Sequence, residues 1–409
     1  MNRTTGSTRA RLASSGPHAR ARAFLGVVIV VASFAGIACS KTERSAPAGV
    51  SDAAASTGAA SVAAPVEPVI PRCDESTCSD KCTCGETGTC KGGHCAREPE
   101  WKIEELALGA GSFGCARYTN GRVQCAGQNA LGQLGRGMRT PNTKNQSPAT
   151  VKEVADATRI VAGAAHACAL AKDGRVWCWG SGANGELGSG TAEGSSTPRL
   201  VAGLADATAL WAGNTHTCAI RKSGAVACWG VNDRGQLGDG TKENRSSPVE
   251  VKGVAGATRL ALAFYHSCAV AKDGLVLCWG QRGAPVGGVA VPLGVPKSDQ
   301  IGASQDELCV GAAGKVSCFG PSMNKTLTLV PGFTDATQLS GGDGLMCALR
   351  KNGTVTCGDW WAASDGKVTD KSADARALAV GGSFECIVGK DDHVACNAAL
   401  PTKTVIEQL

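Results

Sequence analysis

Seven pairs of cysteines recur down this chain at almost constant internal spacing: Cys115/Cys125, Cys168/Cys178, Cys218/Cys228, Cys268/Cys278, Cys309/Cys318, Cys347/Cys357 and Cys386/Cys396. The pairs return roughly every 40 to 50 residues, a period that marks a propeller, solenoid or array. Between paired cysteines the chain reads CALAKDGRVWC from Cys168, CAIRKSGAVAC from Cys218 and CAVAKDGLVLC from Cys268. Each is an apolar run, a polar tripeptide ending in Gly, and a second run rich in Val, the pattern of a β-hairpin with a three-residue loop. A loop at 172–174 pairs Ala171 with Arg175 and carries the register outward to Cys168 opposite Cys178. The fifth pair is one residue closer, and its turn, Ala313 and Gly314, is one residue shorter, so Cys309 still faces Cys318. In the last repeat Asp392 occupies the glycine position, which Asp tolerates better than most residues.

Spacing and turn length changing together predict seven cross-strand disulfides. Buried thiols and metal ligation are the alternatives, but a hairpin separation offers neither the CxxC knuckles nor the histidines of a zinc site. Each bridge would close a loop of about ten residues and contribute at most about 3 kcal/mol in the chain-entropy model. Such bonds persist in an oxidising compartment.

The N-terminus is consistent with export. Arg3, Arg9, Arg11, Arg20 and Arg22 precede an apolar stretch over 24–38, too short for a comfortable membrane span. Residues 1–38 thus read as a signal peptide. The tetrapeptide Gly36-Ile37-Ala38-Cys39 resembles a bacterial lipobox, with Gly36 where Leu is usual. That resemblance implies acylation of Cys39, and Ser40 after it implies an outer-membrane or surface address. Five of the 41 basic residues lie in 1–38, leaving 36 against 35 acidic ones. The remaining chain is nearly neutral and shows no basic stripe with interleaved aromatics, which argues against a nucleic-acid partner.

Residues 39–72 are rich in Ala, Ser, Pro and Val and read as a lipid-anchored flexible linker, with a reach of roughly 30–35 Å. Residues 73–100 form a small module holding Cys73, Cys78, Cys82, Cys84, Cys90 and Cys95. Six cysteines in so short a segment predict a disulfide knot whose connectivity is open among about 15 possibilities. A zinc module including His94 is the competing reading.

From residue 101 to 409 the chain is the repeat array. Repeat two reads ATRIVAGAAHACALAKDGRVWCWGSGANGELGSGT and repeat three ATALWAGNTHTCAIRKSGAVACWGVNDRGQLGDGT. These resemble the regulator of chromosome condensation repeat family, in the secreted bacterial branch with cysteines in the hairpin. The resemblance implies an all-β, seven-bladed β-propeller, strongest in blades two to four. Blades five to seven lose the GQLG element, and blade one keeps it while Ala126 replaces Trp. Trp179, Trp229 and Trp279 stand at one repeated position and should fill the core between blades. The glycines of GQLG suit tight turns where one blade hands over to the next. Residues 401–409, with Val405 and Leu409, resemble the Pro-containing strand that follows other repeats and should close the ring.

His166, His216 and His266 each lie two positions before the first cysteine of a pair. Converging on a channel, they could ligate metal or act as bases. The same position is Phe113, Glu307, Leu345 and Phe384 elsewhere, and repeat-borne residues are more often structural. No nucleophile elbow, phosphate loop or HExxH motif is present, so no catalytic, cofactor or metal residue is assigned. Asp299, Asp306, Glu307, Asp343, Asp359 and Glu385 could form a carboxylate pair, with solvated surface as the plainer reading. The long polar loops at 136–147, 189–197 and 239–247 should crowd one side of the disc. Binding residues concentrate on loops held by rigid scaffolds, which makes Arg136, Arg139, Lys144, Glu193, Lys242, Glu243 and Arg245 the candidate recognition residues.

The expectation is a monomeric, membrane-tethered binding scaffold without cofactor, its partner a protein or a glycan. An enzyme acting on extracellular polysaccharide in the channel is the alternative. Nucleotide exchange and enzyme inhibition, which the resemblance also implies, rank lower, since exchange requires the cytosol and an inserted β-wedge.

Overall fold

The computed structural model of the protein describes residues 88–91, 94–97, 101–141, 145–281, 288–305, 307–319, 327–358, 368–372, 374–382, 384–397 and 406–409. Residues 1–72, expected above to hold a signal peptide, Cys39 and a linker, lie outside them, as do Cys73, Cys78, Cys82 and Cys84. Within the small module, Gly88–Lys91 and His94–Arg97 form an antiparallel hairpin whose register places Cys90 opposite Cys95.

From residue 101 onward the strands assemble into seven antiparallel sheets, taken one after another along the chain. Blade two shows the plan. Its strands Ala157–Ala162, His166–Ala171, Val176–Gly180 and Ser195–Leu200 pair side by side in chain order. The first strands of the other blades are Ile103–Gly109, Ala207–Ala212, Ala257–Leu262, Gln300–Ala303, Ala336–Gly341 and Ala375–Gly381. All seven first strands line a common axis, giving a seven-bladed β-propeller.

A sheet with apolar side chains on both faces must be covered twice, and here each blade covers its neighbours. The buried core accordingly divides into seven clusters, one at each seam. Between blades two and three, for example, Val161, Leu170, Val176 and Leu187 meet Leu210, Ala219 and Trp229. Blades seven and one meet in the same way: Val388 and Phe384 pack with Leu106, Leu108 and Tyr118, so the ring is closed.

Each hairpin has the register that the turn lengths predict. Cys168 lies opposite Cys178, Ala171 N–H donates to Arg175 C=O, and the shorter fifth hairpin still sets Cys309 opposite Cys318. Ala313 and Gly314 take φ of 50° and 76°, the two left-handed residues of a tight two-residue hairpin turn. Asp392 has φ 67° in the glycine position. All seven pairs are disulfide-bonded. Their sulfurs sit in the seam clusters, which screen them from solvent.

Two expectations change. The GQLG turns lie within a blade, in the connection between its third and fourth strands, and meet the next blade in space and not along the chain. Of the expected closing strand over 401–409, residues 401–405 with Val405 lie outside the described residues, and residues 406–409 form a turn in place of a strand. Ile406 is fully buried in the seam of blades seven and one, and Tyr118 donates from its hydroxyl to the Leu409 main-chain oxygen. Among the described residues blade seven has three strands, ending at Val394–Asn397.

Candidate recognition face and axial cavity

In an antiparallel blade the first-to-second and third-to-fourth connections leave from the same edge, so both kinds of loop gather on one face of the ring. The third-to-fourth connections are longest in blades one to three, running from Gly127 to Gln146, Gly180 to Ser195 and Gly230 to Arg245. The first-to-second connections are short and tied across seams by main-chain hydrogen bonds. Gly111 N–H donates to Ala164 C=O at 2.9 Å, and Ala164 N–H to Asn214 C=O at 2.7 Å. Gln305 N–H donates to Gly342 C=O at 3.0 Å in the same manner.

The long loops are ordered by buried polar side chains. Asn232, fully buried, accepts from Leu237 N–H at 2.9 Å and donates to Asp239 Oδ1 at 3.1 Å. Asp239 accepts in turn from Thr241 N–H and from Arg245 Nε, both at 2.9 Å. Burial works against the Asp239 carboxylate, but these donors hold its pKa below the usual value. Asn129 plays the same part in blade one, accepting from Leu134 N–H at 3.1 Å and donating to Met138 C=O at 3.0 Å.

The candidate recognition residues therefore divide. Arg245 is committed to Asp239 and Glu243, the latter at 3.1 Å. Arg136 is committed to the Cys125 and Ser147 carbonyls, the second at 2.5 Å, and burial lowers its pKa. These two arginines hold the loops in shape. Arg139, Glu193, Lys242 and Glu243 are exposed, with Arg139 donating to Gly194 C=O of blade two at 3.2 Å. Lys144 lies outside the described residues. Leu131, 44% exposed, and Met138, 58% exposed, stand on the same blade-one loop as Arg139 and were missed in the sequence because a lone apolar residue in a polar loop has no periodicity.

The tryptophans and the GQLG turns are parts of one device. Trp179 Nε1 donates to Gln133 C=O at 2.9 Å, Trp229 to Glu186 C=O at 3.0 Å and Trp279 to Gln236 C=O at 2.8 Å. In each case the indole of one blade is bound to the turn of the blade before it. The histidines sit beside these seams. His166 Nε2 lies 2.9 Å from Thr217 Oγ1, and His216 Nε2 lies 2.8 Å from Ser267 Oγ, each partner belonging to the next blade. With His166 1% exposed and His216 and His266 fully buried, none reaches a solvent-filled channel. Desolvation lowers the pKa of His166 to about 4, opposed by the Glu186 charge. Desolvation lowers His216 to about 3, helped by the fields of His166 and His266.

Along the axis runs a cavity of about 830 Å³, lined by the first strands from Glu104 and Arg159 near their starts to Ala303 and Gly341 near their ends. A smaller recess of about 90 Å³, lined by Asn214, Phe264, Ser304 and Gln305 among others, marks the axis on the loop face. In the large cavity Arg159 pairs with Glu105 at 3.3 Å and stacks over Trp211, 5.1 Å from the ring centre. Arg117 pairs with Glu104 and with Glu105, the latter at 3.5 Å. Among the described residues the carboxylates of the degenerate half are not brought together here. Glu307 is buried near Ser304, Glu385 accepts from Asn397 Nδ2 at 2.9 Å, and burial raises the Asp343 pKa. Asp299 is exposed, while Asp306 and Asp359 lie outside the described residues.

Comparison with known proteins agrees with this architecture. Residues 157–186, 173–220 and 223–270 match the Regulator of chromosome condensation (RCC1) repeat, so the chain carries these repeats across blades two to four. The human E3 ubiquitin-protein ligase HERC2 is 33% identical over 101 residues, 24% of this chain and 2% of that protein. The chain thus spans a very small part of the curated relatives it matches. The structure of human WBSCR16 is similar with a TM-score of 0.61 at 19% identity, covering 72% of this chain and 89% of that one. Prp20p from Saccharomyces cerevisiae, described with its binding properties to Gsp1p and histones, gives a TM-score of 0.50 at 19% identity over 61% of this chain and 71% of that one. At these identities the likeness is one of fold.

Proposed function

We propose that the protein is an exported, membrane-tethered scaffold that binds an extracytoplasmic protein partner through the loops of blades one to three. The observation that carries this reading is the blade-one loop. It presents exposed Leu131, Met138 and Arg139 while Asn129 and Arg136 fix its backbone. Met and Arg are enriched in protein interfaces, and a loop already ordered before binding loses little conformational entropy on association. Prp20p, a propeller of the same fold, is itself described by its binding to proteins. The disulfides and the N-terminal signal support an oxidising compartment, and acylation of Cys39 would hold the ring at the outer membrane or surface.

A polysaccharide-acting enzyme is the second reading, favoured by the size of the axial cavity. Against it, the two carboxylates in its lining, Glu104 and Glu105, are both engaged by arginines. Nucleic acid is not proposed as a partner, and no catalytic residue is.

The test is capture from the native cell envelope with the full chain, using wild type and a Leu131→Asp/Met138→Asp/Arg139→Glu variant. A defined protein retained by wild type and lost by the variant supports the scaffold. Equal retention by both would move the recognition surface elsewhere.

A further inference from the structure

The axial cavity carries hydrogen-bond donors that no group of the protein engages. Around most of the ring, polar side chains at the start of the first strands tie one blade to the next. Glu105 accepts from Ile160 N–H at 2.9 Å, Arg159 Nε donates to Leu210 C=O at 3.2 Å, and Gln338 Nε2 donates to Leu378 C=O at 2.8 Å. Arg376 donates to Ile103 C=O across the closing seam and pairs with Asp392.

The series stops at blades three to five. Ala209, Arg259 and Gln300 hold the position that Glu105, Arg159 and Gln338 hold in the tied blades, as the strand registers show. Among the described residues the guanidinium of Arg259, the side-chain amide of Gln300 and the indole N–H of Trp211 make no hydrogen bond or ion pair. All three line the same cavity of about 830 Å³ on three successive blades. Glu104 and Glu105 in the lining are balanced by Arg117 and Arg159, and Arg376 is balanced by Asp392, which leaves Arg259 as uncompensated positive charge. Asp299, beside Gln300 in sequence, is not among the lining residues.

We infer that the axial cavity, at Trp211, Arg259 and Gln300, is a binding site for a small oxyanion ligand, a carboxylate or phosphate-bearing molecule. Arg259 holds its charge through a planar fork of N–H groups, Gln300 donates from its amide, and Trp211 offers both an N–H and an apolar face. Arg259 and Trp211 offer donors alone, Gln300 can turn its amide N–H toward the same ligand, and Arg259 brings positive charge, so the fitting ligand supplies acceptors and negative charge. The cavity volume is that of a small-molecule site. This site lies along the first strands at the axis, shares no residue with the proposed recognition loops and stands independently of them.

The experiment is isothermal titration of the full chain with citrate and with inorganic phosphate, with glucose as a neutral control. At least one anion should bind saturably below about 10 mM, a modest affinity for so few contacts. The two arms separate an organic carboxylate from a phosphate. Arg259→Gln should weaken binding roughly tenfold or more, as expected for loss of a charge-assisted contact. Arg259→Lys should weaken it less, and Trp211→Phe should diminish the tryptophan fluorescence change on binding. Lys222→Gln, an exposed charge on a hairpin turn outside the cavity, should leave binding unchanged. Unchanged circular dichroism shows that each variant is folded. Absence of saturable binding by both anions overturns the inference, and so does binding that Arg259→Gln leaves intact or that Lys222→Gln weakens equally.

Discussion

Trp229 in blade three donates its indole N–H to the main-chain carbonyl of Glu186 in blade two, at 3.0 Å, and lies directly against Gly188 of the same turn. The relationship recurs at Trp179 with Gln133 and at Trp279 with Gln236, and it explains a pattern in the sequence. Where a blade has the GQLG-type turn, the next blade has Trp; blade five, which follows a blade without that turn, has Phe319, and blade one, which follows another, has Ala126. Turn and indole are present or absent together because each completes the other.

Gly188 has φ 62°, and a Cβ there would lie 2.8 Å from the Trp229 ring. Gly188→Ala should therefore destabilise the protein by about 1–3 kcal/mol, from strain and overpacking together. Trp229→Phe, which leaves the Glu186 carbonyl buried without its donor, should cost about 1–3 kcal/mol for the lost hydrogen bond. Chemical denaturation midpoints measure both. In the double variant the two effects should fall short of their sum, because they break one contact.

His166 and His216 are buried and neutral, with pKa lowered to about 4 and about 3 from an ordinary value near 6.5. Below pH 6.5 the unfolded chain takes up protons at these sites while the folded chain does not. Stability should thus be undiminished by them above pH 6.5 and fall as the pH drops toward 4, by up to about 1.4 kcal/mol per pH unit for each histidine. Denaturation midpoints from pH 7.5 to 4.5 should show this decline, and His216→Asn should shallow its slope. A slope unaffected by that substitution would mean that His216 titrates normally.

Ile406 is fully buried where blades seven and one meet, and Tyr118 reaches the Leu409 main-chain oxygen from the opposite side. Ile406→Ala should cost about 2–5 kcal/mol, the range for a large core residue cut to Ala. Hydrogen exchange should rise first in the strands Ile103–Gly109 and Ala375–Gly381 that flank this seam. A uniform rise over all seven blades would argue against a closure held at this point.

Much of the ring is legible in the sequence because hairpin register is a local matter. The nine- and ten-residue cysteine spacings and the turn residues between them determine which strands pair, and seven repetitions determine the closed architecture. The recognition face is only partly legible. Arg136 and Arg245 look like exposed binding residues in the sequence, yet Arg136 is taken up by carbonyls on the strands that flank its loop and Arg245 by carboxylates of the loop before it, visible only once the chain has folded back. The axial cavity is not legible at all in periodicity. Arg259 and Gln300 occupy a position that is tied in some blades and open in others, and which is which depends on the neighbour across the seam.

Seven bonds, each joining the two strands of one hairpin, tie the blades. Peptide mapping of the full chain under non-reducing conditions tests this directly. It should recover Cys115–Cys125, Cys168–Cys178, Cys218–Cys228, Cys268–Cys278, Cys309–Cys318, Cys347–Cys357 and Cys386–Cys396 as linked peptides. Free thiols at these positions, or links between cysteines of different blades, would contradict it.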